Sequence, residues 1–224
     1  MPKVAVVLSG CGFLDGAEIQ EAVFSLLYLD RAGAEVQCFA PDKPQMHVVD
    51  HRTGQPTAES RNVLTESARI ARGQIEPLSK ASMSGFDALA MPGGYGVAKN
   101  LSTFATKGAE GEVDPDLARL IGEAYRARKP ILAICISPAI LALALANVGA
   151  GANLTIGSDA GTAQAIESLG CTHEECAVDS FVADEDSRII TTPAYMLGPG
   201  PKGVAEGIEK SVETLMRWLS APVA

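Results

Sequence analysis

The chain is predicted to fold as a doubly wound, three-layer α/β unit spanning residues 1–224 as one domain. Three observations carry that expectation. Short apolar runs of buried-strand type alternate with helical patterns from the first residues onward. The hydrophobic fraction of 47% over 224 residues is enough to bury a full core. No internal repeat, low-complexity tract or linker interrupts the alternation. Ligands of such a fold bind at the carboxyl ends of its strands.

The elements follow in order. Val4 to Leu8 reads as a strand, and Ala17 to Arg31 as a helix with Ile19, Ala22, Val23, Leu26 and Leu27 on one stripe. Ala32-Gly33 stops that helix before the strand Glu35 to Ala40. A loop-rich excursion from Pro41 to Pro56 holds a short strand at Met46 to Val49, and a helix from Thr57 to Ala71 ends at Gly73. Asp87 to Met91 is a buried strand that stops at Pro92-Gly93-Gly94. Asp114 caps a helix that Pro115 opens and that runs to Arg128. The strand Pro130 to Ile134 stops at Cys135. Ser137 suits the N-cap and Pro138 the first position of the apolar helix Ala139 to Ala146. A short strand near Leu154 to Ile156 precedes a helix from Asp159 to Leu169 that Gly170 ends. Ala177 to Ala183 and Arg188 to Thr192 form a hairpin around Asp184-Glu185-Asp186-Ser187, and Lys202 to Leu219 closes the chain as a helix.

Composition narrows the function. A net charge of −9 argues against nucleic acid or an anionic membrane as partner. No apolar signal segment precedes the first strand and no run reaches membrane-spanning length. Five cysteines, an odd and scattered set, point to reduced thiols in a cytoplasm. The histidine candidates for base catalysis are confined to His47, His51 and His173.

The chemistry centres on Cys135. Its thiol sits on a strand-to-helix elbow just before a helix N-terminus, where peptide dipoles favour thiolate over thiol. Such an elbow presents a nucleophile to the adjoining crevice. The competing reading is a buried structural cysteine. Glu18 and Glu21 lie three apart at the start of the first helix, beside the same edge, where a carboxylate can shuttle protons. Glutamates in a first turn also simply complement the helix dipole. Pro92-Gly93-Gly94 leaves the Gly94 N–H free to pair with that of Ile136 as an oxyanion site, although a tight turn alone would also call for glycine.

Other signals are weaker. Gly10 to Gly16 resembles a dinucleotide loop, but it has one residue too many, and Asp15, Glu18 and Glu21 place negative charge where a pyrophosphate needs positive charge. Cys11 lies on the same edge, either as a second thiol near Cys135 or as small-residue packing. Cys171, His173 and Cys176, and the pair His47 and His51, match no complete metal set, so neither metal nor cofactor is expected.

Taken together, these residues resemble the DJ-one/PfpI superfamily, whose members pair an elbow cysteine with an upstream glutamate. Ala133-Ile134-Cys135 with Ser137-Pro138, and Met91-Pro92-Gly93-Gly94, match its two central motifs, and the resemblance covers nearly the whole chain. Glu21 lies twelve residues before Gly33, as the family's active-site glutamate does before its helix-ending glycine, which carries that role to Glu21 with Glu18 as substitute. Within the superfamily the chain resembles the enhancing-lycopene-biosynthesis (ElbB) family. That likeness rests on Leu8-Ser9-Gly10-Cys11-Gly12, Cys38-Phe39-Ala40-Pro41-Asp42-Lys43, Ala98-Lys99-Asn100-Leu101-Ser102 and Thr191-Thr192-Pro193-Ala194-Tyr195-Met196-Leu197.

The resemblance implies a glutamine-amidotransferase-like fold, a homodimer, and a glutathione-independent glyoxalase activity that turns glyoxal, a small dicarbonyl, into glycolate. One departure matters. PfpI-type proteases place a catalytic histidine directly after the cysteine, where this chain has Ile136, which argues against a cysteine–histidine peptidase or amidase. His173 lies in the region where some relatives place a histidine near the thiol. The alternative is non-enzymatic: a redox-responsive or stress-related binding protein using the same cysteine. A silent scaffold linked to isoprenoid biosynthesis is suggested by the family's name alone.

Overall fold

In the computed structural model, which describes residues 1–198 and 200–220, eleven strands and eight helices are seen among the described residues. The amino-terminal part comprises β1 (Lys3–Val7), α1 (Ile19–Arg31), β2 (Glu35–Ala40), β3 (Val49–Asp50), β4 (Gln55–Pro56), α2 (Val63–Ile70) and β5 (Ile75–Pro77). The middle comprises β6 (Ala88–Met91), α3 (Tyr95–Asn100), α4 (Phe104–Lys107), α5 (Pro115–Arg126), β7 (Ile131–Ile134) and α6 (Ser137–Ala146). The remainder is β8 (Asn153–Leu154), α7 (Ala160–Ser168), β9 (Thr172–His173), β10 (Val182–Asp184), β11 (Ile189–Thr192) and α8 (Pro201–Ser220).

The main sheet has the order β10-β11-β7-β6-β1-β2-β5, parallel throughout except for β10, which pairs antiparallel with β11. This is the predicted three-layer α/β architecture. The apolar strand runs follow from it, because strands covered on both faces lose the polar alternation of a one-sided sheet. Successive side chains leave a strand on opposite faces, so the core divides in two. Val4 and Val6, with Leu132 and Ile134, pack under α1 and α8, where α8 contributes Val204, Ile208, Val212 and Leu215. Ala5 and Val7, with Ile131 and Ala133, pack against Leu117, Leu120 and Ile121 of α5 and the apolar side chains of α6.

Several boundaries differ from the sequence reading. The helix predicted from Thr57 begins at Val63, because the Asn62 side chain accepts the Thr65 N–H and sets the cap there. Helix α1 begins at Ile19, with Glu18 as its cap. Helix α6 begins at Ser137, with Ile136 and not Ser137 at the cap position. The Ser137 hydroxyl instead donates to the Pro92 carbonyl at 2.9 Å, tying the β7 loop to the β6 loop. The short strand predicted at Met46 to Val49 is displaced to Val49–Asp50 (β3) and that near Leu154 to Ile156 to Asn153–Leu154 (β8); both lie outside the main sheet, paired with β4 and β9. Strand β5 and the short helices α3 and α4 have too few residues to show a period in sequence. Among the described residues no helix is long and apolar enough to cross a membrane.

Candidate active site

Strand order places the carboxyl ends of β1, β6, β7 and β11 side by side, with the chain reversal between β1 and β6. The loops beyond them are stitched together by backbone hydrogen bonds. The Glu18 N–H donates to the Gly93 carbonyl at 2.9 Å, the Tyr95 N–H to the Phe13 carbonyl at 2.8 Å and the Gly96 N–H to the Gly16 carbonyl at 2.9 Å. Three of these loops were expected to meet. The fourth, after β11, brings Tyr195.

Cys135 has φ +63°, a left-handed conformation that costs a non-glycine residue on the order of 1–3 kcal/mol. The surroundings hold it there. Its N–H still pairs with the Thr192 carbonyl at 3.0 Å, continuing the β11–β7 ladder, while the next residues turn at once into α6. That helix is buried on all sides from Ser137 to Leu145, so the elbow stands on a rigid, solvent-free post. The side chain retains 7% exposure, at the base of a cleft.

Glu21 lies beside Cys135 across Gly93, where carboxyl and thiol act on each other's protons. This carboxyl is fully buried. One oxygen accepts the Gly93 N–H at 2.9 Å and the other the Tyr195 N–H at 3.1 Å. Glu18 takes a different part: its side chain accepts the Glu21 N–H at 2.7 Å as the cap of α1, and it lines the cleft. Of the two candidate carboxyls, the one on the sulfur is therefore Glu21.

Gly93 and Gly94 allow this closeness. A Cβ on Gly93 would stand 2.3 Å from the Cys135 Cβ and 2.6 Å from Glu21 Oε2. Gly94 adopts φ +99°, and a Cβ there would meet the Glu18 nitrogen at 2.3 Å. The N–H groups of Gly94 and Ile136 both favour the charged form of the sulfur, so the pair expected to form an oxyanion site acts on one point.

The electrostatics refine the expectation of a ready thiolate. Burial, and then the negative charge of Glu21, push the Cys135 thiol well up, and the Gly94 and Ile136 amides pull the other way without prevailing. Burial likewise lifts Glu21 from its usual 4.5 to about 8, helped by the charge of Glu18 and opposed by the bonds from Tyr195, Cys135 and Gly93. Both members of the pair are therefore biased towards their protonated forms. Loss of one leaves a single proton to be shared between sulfur and carboxylate. The helix N-terminus alone does not ionise the thiol, because desolvation is the larger effect.

His173 does not line the cleft: it lies on β9, where its Nε2 receives the Ile156 N–H at 3.4 Å. All five cysteines are free, and the charges acting on Cys11 are those of Glu66, Arg69, Asp15 and Arg61, not those of the Cys135–Glu21 pair. Among the described residues no group of three or more histidine, cysteine, aspartate or glutamate side chains is arranged to hold a metal.

The sequence reading missed Tyr195 and its neighbour Ala194, whose φ of +44° turns the chain just before the Tyr195 N–H that meets Glu21. A signal existed. A strand predicted at Arg188 to Thr192, lying parallel to the cysteine strand, must deliver its next residues to the same edge.

The cleft holds about 1000 Å³ and is bounded by Cys135, Ile136 and Gly94 at its base. Phe13, Tyr95, Phe104 and Met196 supply much of its wall, with Lys99 and Asp159 among the polar members.

Comparison with known proteins agrees with this architecture. No family model matches the chain. The human glutamine amidotransferase-like class 1 domain-containing protein 3, mitochondrial, is 46% identical over 224 residues, covering 96% of this chain and 82% of that protein. The mitochondrial ES1 protein of Danio rerio is 36% identical over 211 residues, covering 87% of this chain and 77% of its own. A crystal structure of an isoprenoid biosynthesis protein with an amidotransferase-like domain from Ehrlichia chaffeensis superposes with a TM-score of 0.92 at 39% identity, covering 98% of this chain and 100% of that one. A ThiJ/PfpI domain protein from Brachyspira murdochii, 15% identical with a TM-score of 0.56 and 97% of each chain covered, shares the fold. At these identities and coverages, the chain belongs to the family of glutamine amidotransferase-like class 1 domain proteins that includes the ES1 proteins.

Proposed function

We propose that the protein is a cysteine-dependent, cofactor-independent glyoxalase-like lyase that turns 1,2-dicarbonyls into 2-hydroxy acids. The reading matches the resemblance to the enhancing-lycopene-biosynthesis family. The observation that carries it is the buried pair of Cys135 and Glu21, flanked by the Gly94 and Ile136 N–H groups. From the form of the pair that has lost one proton, the thiol hydrogen passes to Glu21 as the Cys135 sulfur adds to the aldehyde carbon, and Glu21 delivers it to the carbonyl oxygen, held by those two amides, to give a hemithioacetal. The freed carboxylate removes the hydrogen from that carbon, and the enediol formed is reprotonated on the adjacent carbon. The product is a thioester of the hydroxy acid, and water hydrolyses it to release the acid and restore the thiol. No electron leaves or enters the system, so no redox cofactor is called for.

A peptidase or amidase is less well supported, because the residue after Cys135 is Ile136 and His173 lies away from the cleft. Glyoxal consumption by purified Cys135→Ala tests the assignment: it should fall at least about a thousandfold. Turnover at the wild-type rate would end it. The scattered free thiols suit a reducing compartment such as the cytoplasm, whereas the human relative's name places that protein in mitochondria.

A second reading draws on the same amides. The N–H groups of Gly94 and Ile136 could also hold the oxygens of a sulfinate formed on Cys135, as in a redox-responsive protein. Intact-mass analysis after low-dose peroxide, run beside the dicarbonyl assay, separates the two: selective oxidation with negligible turnover favours this second role.

A further inference from the structure

The cleft is much larger than a two-carbon dicarbonyl needs. About 1000 Å³ is the scale of a site for a sizeable organic ligand, and glyoxal would occupy only the base around Cys135. The space above has a defined character. Phe13, Tyr95, Phe104 and Met196 present apolar surface, and Lys99 is the one basic side chain among the lining residues.

Lys99 is poised and underused. Its ammonium donates to the Leu14 carbonyl at 2.6 Å and sits 5.4 Å over the Tyr95 ring, and among the described residues it pairs with no carboxylate within 4.0 Å. Two of its three donors are left for a ligand. The lining carboxylates are differently placed: Glu18 accepts the Glu21 N–H as the cap of α1, and Asp159 accepts the Thr162 N–H at 2.8 Å as the cap of α7. Their charge is directed at helix N-termini. Partial burial lowers the pKa of Lys99 by removing water from its ammonium, which an incoming anion would replace.

Spacing fits a single molecule that spans both ends. Gly94, whose N–H acts on the sulfur, is the cap of α3, and Lys99 stands five residues along that helix, roughly 7–8 Å further on. Resting on the reaction proposed above, we infer that the preferred substrates are 2-oxoaldehydes with a flat apolar body and a terminal carboxylate, the carboxylate held by Lys99. A single ammonium suits a monoanion better than a phosphate dianion.

The test compares 4-carboxyphenylglyoxal with its methyl ester, which share the reacting end and the ring and differ in charge. Wild-type kcat/KM should favour the acid by about 10- to 100-fold, the worth of one charge-assisted hydrogen bond. Lys99→Met should bring the ratio close to one, and Lys99→Arg should keep most of it. A wild-type ratio near one, or a ratio that Lys99→Met leaves intact, overturns the inference. Binding of 4-(hydroxyacetyl)benzoate against its methyl ester, which lack the aldehyde, reads the same preference without turnover. If no dicarbonyl is consumed but the acid still binds more tightly in a Lys99-dependent way, the reaction fails and the anion site stands. If dicarbonyls are consumed without preference for the acid, the reaction stands and the anion site fails.

Discussion

The two ends of the cleft are built by opposite means. At the base, backbone does most of the work: the amides of Gly93, Gly94, Ile136 and Tyr195 converge on one sulfur and one buried carboxyl. At the mouth, side chains do the work, and two of the largest, Phe13 and Tyr95, are 46% and 55% exposed. Backbone amides in an elbow between a buried strand and a buried helix are fixed by those elements, whereas the half-exposed rings have packing partners on one side only. On the function proposed above, chemistry belongs to the base and selectivity to the mouth.

The largest effect that could break this contrast is expected from Glu21→Gln, which keeps the shape and removes the proton. Turnover of glyoxal should fall about 100- to 10,000-fold with little change in KM. In the wild type the reactive form has lost one of the two shared protons, so the rate should decline as pH falls through about 8, the value to which burial raises Glu21. A pH–rate profile flat from 6 to 9 would count against that assignment.

Gly93→Ala comes next. Its new methyl would lie 2.3 Å from the Cys135 Cβ. We expect a loss of about 1–3 kcal/mol in stability, seen in denaturant melts, together with a fall in kcat of on the order of a hundredfold. Normal activity with an unchanged melt would show that the base is less rigid than described.

A smaller, graded effect concerns stability against pH. Because Glu21 is raised from 4.5 to about 8 on folding, the folded state keeps a proton that the unfolded chain gives up. Stability from this group is complete below about 4.5 and is lost as pH rises towards 8, by a few kcal/mol on the order-of-magnitude scale of such shifts. Glu21→Gln should remove that slope, so the difference between the two proteins should move in favour of the variant on going from pH 5 to pH 8. Parallel melts across that range would contradict it.

The smallest change is expected at the mouth. Asp159→Ala removes the cap of α7 and should cost about 1 kcal/mol of stability while leaving glyoxal turnover near the wild-type rate. A large loss of rate would show that the mouth takes part in the chemistry.

What could be read from the residues follows the same division. The strands and the elbow were legible, because four- to six-residue apolar runs ending at Gly-Gly or Cys-x-Ser-Pro carry their own boundaries. Cys135 and the two oxyanion amides were legible for that reason, whereas Glu18 and Glu21 stayed alternatives in the sequence and the family resemblance alone favoured Glu21. The protonation state was not, because it is set by burial that only the assembled layers create. Tyr195 escaped notice because its contribution is a backbone N–H, which has no residue type to betray it. The start of α2 was misjudged because the segment from Thr57 to Arg61 has helical composition, whereas Asn62 makes the capping bond. His173 fell in a stretch with no strong period, and the small β8–β9 pair holds it by the Ile156 amide instead.

The carboxyl of Glu21 is bridged between residue 93 and residue 195, so its two anchors are separated by nearly half the polypeptide. During synthesis the elbow and the first helix leave the ribosome well before β11 does. Until that strand docks beside β7, the acid is clamped on one side only. A truncated or prematurely released chain would carry an incompletely framed Cys135–Glu21 pair, which makes the carboxyl-terminal hairpin the part that completes the site.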